Sequence, residues 1–154
     1  MTIRLAQSET KNNDIQLIYD LSNDPDVRKN SFSHNIISWE EHKNWYAASV
    51  HDPDILFFLI FDDTNFVGQI RFDRRKNIDS PIINISITKK YRGKGIASNC
   101  LKLALNELKL RWPRTTKISA HVLYENKVSN IFFANNGFQL ITNNQHNIYE
   151  KLII

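Results

Sequence analysis

The sequence predicts an α/β fold in which one mixed sheet is flanked by helices. Three observations carry that expectation. Ile55-Leu-Phe-Phe-Leu-Ile-Phe61 is a continuous apolar run of strand length, the mark of a strand buried on both faces. Ile83, Ile85 and Ile87 alternate with Asn84, Ser86 and Thr88, a period of two. Just beyond, Ala97, Cys100, Leu101, Ala104, Leu105 and Leu108 fall on one face of a helix, so the period changes abruptly. The 154 residues, 42% apolar and 23% charged, suit a single domain over 1–154 that buries a core without metal or disulfide.

The elements follow in order. Residues 2–6 read as a short strand, and residues 13–21 as a helix through the spacing of Ile15, Ile18 and Leu21. Ser22-Asn-Asp-Pro-Asp is a stop followed by a new start. Ser38-Trp-Glu-Glu41 is a capping box that opens a helix carrying Trp39, His42, Trp45 and Tyr46, with Glu41 expected to cap its own helix. The strand at 55–61 turns at Asp62 to Asn65 and returns over Phe66 to Phe72 as a hairpin. The alternating strand at 83–87 follows, then a helix from Gly95 to about Leu110 that Pro113 terminates. Ile118, Ala120 and Val122 mark another strand, and Asn126 to Asn135 a helix stopped by Asn136-Gly137. Phe138 to Thr142 and Ile148 to Ile153 close as a strand pair, which gives the order βααβββαβαββ.

Several function classes fall away. No run of 18 apolar residues exists, so no membrane span is expected. Met1-Thr-Ile-Arg-Leu reads as a strand start and not a signal peptide, so a cytoplasmic location is the default expectation. Cys100 is the one cysteine and lies in an apolar stripe, so it is read as a core residue. No His, Cys, Asp or Glu set has metal-ligand spacing, and no metal is expected. The net charge of +4 is scattered except at Lys89, Lys90, Arg92 and Lys94. That cluster surrounds two glycines and suits a small anion better than a duplex; no basic helix or aromatic-stacking motif favours nucleic acid.

Ile85 to Ala97 is therefore strand, tight loop and helix start. A helix N-terminus presents unpaired N–H groups and the positive end of a dipole. Gly93 and Gly95 let a ligand approach the backbone, and Arg92 and Lys94 add charge. Together these suit a phosphate or pyrophosphate. The Gly-Lys-Ser/Thr ending of a P-loop and the three glycines of a dinucleotide fingerprint are both absent. A plain tight turn is the alternative.

At these residues the chain resembles the GNAT superfamily of N-acetyltransferases. The family's Arg/Gln-x-x-Gly-x-Gly/Ala reads here Arg92-Gly93-Lys94-Gly95-Ile96-Ala97. A second block reads Asn126-Lys-Val-Ser129, then Phe132-Phe133-Ala-Asn-Asn-Gly137-Phe138. The resemblance covers residues 55–154 well and the first third loosely. It implies a mixed, mostly antiparallel central sheet and acetyl-CoA as acyl donor. It implies that backbone amides of Arg92, Gly93, Lys94, Gly95, Ile96 and Ala97 bind the pyrophosphate. Ile85, Ser86 and Ile87 would pair with the pantetheine arm as an added strand, and the Ile87 amide would polarise the thioester. Asn126, Ser129 and Phe133 would border the cofactor, although Asn126 serves equally as a helix cap. A homodimer would be in keeping with the family.

Many members carry a tyrosine that protonates the leaving thiolate; here Phe133 stands in its place. Tyr124 and Tyr149 are the substitutes available. For the base, His121 is the leading candidate, because it alternates with core residues Ala120 and Val122 and titrates near neutral pH. Asp73 and His34 are weaker ones, and an ordinary polar strand residue is an equal reading of His121.

For the acceptor, Asn23-Asp-Pro-Asp-Val-Arg28, Ser31-Phe-Ser-His34, Trp39-Glu-Glu-His42-Lys-Asn-Trp45 and Gly68-Gln-Ile-Arg71-Phe-Asp73 resemble the branch that acetylates the 4-amino group of UDP-linked amino sugars in pseudaminic acid synthesis. Arg28 and Arg71 would meet a diphosphate, Trp39, Trp45 or Phe32 would stack on a ring, and His34 and Asp73 would line the same site. Core packing is the competing role for the tryptophans. Another small amine or a protein N-terminus is the alternative acceptor, and a non-catalytic acetyl-CoA sensor the alternative of a different class.

Overall fold

In a computed structural model describing residues 1–154, strand β2 (Ile55–Asp62) is the spine of the molecule. Its apolar run is buried on both faces. Leu56, Phe58 and Ile60 enter the larger core, and Ile55, Phe57 and Leu59 the smaller one. Strands β1 (Thr2–Leu5) and β3 (Asn65–Asp73) flank it, and β4 (Ile82–Ile87), β5 (Lys117–Val122), β7 (Asn147–Leu152) and β6 (Gln139–Thr142) complete the sheet in the order β1-β2-β3-β4-β5-β7-β6. Every neighbouring pair is antiparallel except β4 with β5.

Helices cover both faces. The stripe Cys100, Leu101, Ala104 and Leu108 of α4 (Ile96–Arg111) packs on Phe58, Ile70, Phe72 and Ile83, while Phe133 of the later helix α5 (Lys127–Asn135) joins the same core. On the opposite face α1 (Asp14–Ser22) supplies Ile15 and Ile18, and α3 (Trp39–His51) supplies Tyr46. Cys100 is 0% exposed, and burial pushes its thiol up to about 11.

Two readings of the first third are corrected. Three helices precede β2, not two, so the order is βαααβββαβαββ. The extra helix is α2 (Pro25–Lys29), formed where the sequence stops and restarts. Asp24 caps it, accepting from the Asp26 and Val27 amides, and Pro25 occupies the first turn. Five residues are too few to display a helical period. The second correction concerns the Ser38 capping box, which is half made. Ser38 Oγ accepts from the Glu41 amide at 3.2 Å, but the Glu41 carboxylate makes no return bond.

The stop at Asn136-Gly137 is a Schellman turn. The Phe138 amide donates to Phe133 O and the Gly137 amide to Ala134 O, with Gly137 at φ +82°. The rings of Phe133 and Phe138, 4.9 Å apart, make the apolar contact that accompanies it.

Gly68 sets the distance between β3 and β4. A β-carbon there would lie 2.3 Å from Ser86 O and 3.0 Å from Ile87 Cα, both backbone atoms that cannot swing aside. Gly68→Ala should therefore push β4 outward and cost about 2 kcal/mol, in the range of an overpacked core. A thermal denaturation midpoint lower by roughly 4–8 °C would record it in a chain of this size.

Candidate active site

The site begins where β4 and β5 separate. Their parallel pairing consists of Ile82 with Ser119, together with the Ser119 amide donating to Pro81 O; beyond it the strands diverge. The Thr88 amide donates to Val67 O, so residues of even number on β4 turn their peptide groups toward β3. Those of Ile85 and Ile87 therefore face the gap, where no strand meets them. One is taken up locally, since Ile87 O accepts from Arg92 Nε at 2.8 Å.

Below the gap lies the loop of Lys89 to Gly95. A single 3-10 turn, Lys89–Tyr91, packs Tyr91 into the core, and Gly93 and Gly95 then take φ of +73° and +72°. Those angles favour glycine. A β-carbon on either would meet nothing within 4 Å, so the space over the loop is open. The amides of Gly93, Lys94, Gly95, Ile96 and Ala97 donate to no protein group, and no side chain caps α4. Five free amides at a helix N-terminus, under open space, form an anion cradle.

Arg92 has a different task from the one its charge suggests. Besides Ile87 O, its guanidinium meets Asp26 Oδ2 at 3.0 Å and Asp24 Oδ1 at 3.3 Å, the latter an ion pair without an aligned hydrogen bond. Burial raises the Asp24 carboxyl, but the α2 amides and Arg92 together hold it below the usual range. The side chain thus ties the loop to α2, and Lys89, Lys90 and Lys94 remain as the cluster's uncommitted charges.

A cavity of about 270 Å³ opens on the sheet face turned to α1 and α3. Pairing register puts Phe57, Arg71 and Asn84 in one row and Gln69 and Ser86 in the next, all lining it. Ile82 pairs with Ser119, so His121 lies two residues further along β5 on the same face, level with Asn84 across the gap. Arg71 stacks over Trp45 at 4.9 Å and Phe57 at 5.9 Å, and its guanidinium donates to no group of the protein. Burial lowers its pKa, with Asp73 opposing, but a guanidinium stays charged at neutral pH. Gln69, 6% exposed, donates to Asn84 and Ser86 and leaves its Oε1 buried without a partner. Such an atom costs free energy until something fills the cavity.

Other expected residues are placed as follows. Arg28 lines the cavity, but its donors are spent on Ser22 O, Ser33 O, Asn35 O and Ser31 Oγ, which shape the α2–α3 loop. His34 is exposed in that loop, and Trp39 packs edge-on to Tyr19 at 5.1 Å; neither borders the cavity. Asp73 is at the far end of β3, held by Arg75. Asn126 caps α5 by accepting from the Ser129 amide. Phe133 is 4% exposed among Phe132, Phe138 and Tyr149. Both substitute tyrosines donate their phenolic protons to the protein, Tyr149 to Asn130 Oδ1 at 2.7 Å and Tyr124 to Asn143 O. His121 Nδ1 meets His146 Nε2 at 2.9 Å, and burial, then His146 and Lys76, lower its pKa. It is therefore uncharged at neutral pH.

Gln69 and His42 stand within stretches the sequence singles out but carried no role of their own there, and His146 was missed altogether. His42 is 1% exposed, bonded to Ile15 O at 2.8 Å, and burial lowers its pKa. His146 stands 25 residues from His121 in a polar stretch, and only the pairing of β7 with β5 brings the two together. No local signal could have found it.

A seven-stranded sheet that parts in the middle, with an anion cradle below the parting and an amine-sized cavity beside it, defines a CoA-dependent acyltransferase. The chain matches the acetyltransferase (GNAT) domain over residues 4–139 and belongs to that family. It is an N-acetyltransferase that takes its acetyl group from acetyl-CoA. In fold it is similar to a spermidine N-acetyltransferase from Vibrio cholerae in complex with CoA and spermine, with TM-score 0.81, 21% identity and coverage of 98% of this chain and 94% of that one. A domain from Methanocaldococcus jannaschii DSM 2661 gives TM-score 0.80, 24% identity and coverage of 98% and 97%. Aminoglycoside acetyltransferase AAC(6')-Ib with coenzyme A gives 0.78, 15%, 98% and 94%. No curated protein sequence matches the chain. No helix is long and apolar enough to cross a membrane, and no cluster of three metal-ligating side chains occurs.

Gly95→Ala would force a left-handed angle on an alanine at roughly 1–2 kcal/mol and set a methyl over the free amides. The expected result is an acetyl-CoA KM raised about tenfold for the same energy, with the acceptor KM little changed, in steady-state kinetics.

Proposed function

We propose that the chain acetylates the primary amine of a small acceptor that also carries an anionic group, with the 4-amino group of a UDP-linked amino sugar as the leading candidate. One observation carries this reading: the half-buried guanidinium of Arg71 on the cavity wall, which makes no hydrogen bond or ion pair with the protein. A cation partly withdrawn from water, with no counterion against it, is a favourable partner for an anionic ligand group. Arg71 offers a fork that matches a phosphate or carboxylate, and its position over the Trp45 and Phe57 rings holds that fork at the cavity wall. Glu41 is the one carboxylate on the cavity wall, too few for a polycation such as spermine or an aminoglycoside.

Bound acetyl-CoA supplies an activated acetyl group as a thioester. The free amides from Gly93 to Ala97 would hold its pyrophosphate, and the gap-facing peptide groups of Ile85 and Ile87 its pantetheine arm. The Ile87 amide, left free by its own strand, is the donor for the reacting carbonyl. His121 accepts the acceptor's proton at Nε2, which has no protein partner.

Arg71→Met keeps most of the volume and removes the charge. The KM for a UDP-4-amino sugar should rise about 10- to 100-fold, as for a lost charge-assisted hydrogen bond, with the acetyl-CoA KM unchanged. A panel of UDP-4-amino sugars, polyamines and N-terminal peptides tests the acceptor class. Faster turnover of polyamines by the native enzyme would overturn it.

His121 is lowered from the usual histidine range, so kcat should climb on an acid limb centred below pH 6.5 and be flat at neutrality. His121→Ala should lower kcat on the order of a hundredfold and erase that limb. Unchanged turnover at saturating acceptor removes His121 from the chemistry.

A further inference from the structure

We propose that His121 and His146 form a proton path between the acceptor amine and solvent, with His146 as its outer member. The inference rests on the reading of His121 as base. Their rings stand 5.0 Å apart with His121 Nδ1 at 2.9 Å from His146 Nε2, so one proton lies between them. His121 faces the acceptor side of the gap, whereas His146 is half-buried in the turn between β6 and β7. That turn is fixed at two points. Tyr124 donates to Asn143 O, and the Phe32 and His146 rings meet in a T-shaped contact at 4.9 Å. His121 stands outside the cavity lining itself, across the gap from Asn84 of the cavity wall.

The proton balance closes. His121 starts with its proton on Nδ1, donated to His146 Nε2, and with Nε2 bare. As the amine bonds to the acetyl carbon, its proton passes to His121 Nε2, the Nδ1 proton passes to His146 Nε2, and the His146 Nδ1 proton leaves to water. Both rings stay neutral. The path run backward returns one proton to the site, which the departing sulfur needs, and resets both tautomers. The side chain at position 133 has no proton to give, and Tyr124 and Tyr149 have theirs engaged, so this path supplies what they do not. The charged and titratable groups around His121 favour its neutral ring. Lys76, from the β3–β4 loop, faces His121, and the Lys117–Glu150 ion pair at the start of β5 is internally neutral.

The test compares His121→Ala, His146→Ala and His146→Gln for kcat against pH, together with imidazole NMR titration of the protein alone. His146→Ala should lower kcat roughly tenfold with the acetyl-CoA KM unchanged, a fraction of what general base catalysis contributes. It should also raise the His121 pKa, because His146 is one of the groups that depress it. His146→Gln restores a hydrogen bond to Nδ1 but cannot relay, so it should be as slow as His146→Ala. Native turnover in either His146 variant, with His121→Ala still impaired, overturns the path and leaves His121 as base. Native turnover in His121→Ala overturns the base itself.

Discussion

The pairing of β4 with β5 stops after Ile82 and Ser119, and that brief parallel contact organises the protein. A parallel pair prolonged by three more residues would seal the sheet and satisfy every peptide group of β4. Because the strands part, Ile85 and Ile87 keep groups that want partners. Elements on both faces must then hold the sheet open. On one side α4 and Tyr91 pack beneath the parting. On the other, α1 and α3 leave a cavity instead of closing over Asn84 and Ser86. Gly68 belongs to the same constraint, since it lets β3 hold β4 from the other edge.

Arg92 connects these two sides. Its Nε closes the Ile87 carbonyl, and its other nitrogens reach the carboxylates at the head of α2. The glycine loop and α2 are thereby one body. Arg28 repeats the device by gathering the last carbonyl of α1 and two loop carbonyls around one guanidinium. Of the three arginines near the site, Arg92 and Arg28 are engaged by the protein, and Arg71 alone makes no hydrogen bond within it.

What was legible in the sequence was what is local. The apolar run of β2, the alternation of β4 and the stripe of α4 each state their own period, and Gly93 and Gly95 announce an αL loop. The Schellman glycine after α5 was equally plain. The five-residue α2 was hidden because a single turn shows no period. The roles of the arginines were hidden for a different reason: charge says that a side chain wants a partner, not whether the fold already provides one. His146 depends on strand pairing between β5 and β7, and Gln69 on Asn84 of the neighbouring strand β4, so both are long-range facts.

Cys100 has a practical consequence. Acetyl transfer liberates one thiol per turnover, and a colorimetric thiol reagent is the simplest way to count it. Many enzymes contribute a background of their own in such a measurement. Here the chain's one cysteine is sealed between α4 and the sheet, with a thiol that ionises near 11, so it is overwhelmingly protonated at the mildly alkaline pH these reagents need. Native protein should be silent to the reagent, and a slow rise in signal without acceptor would report unfolding, not catalysis.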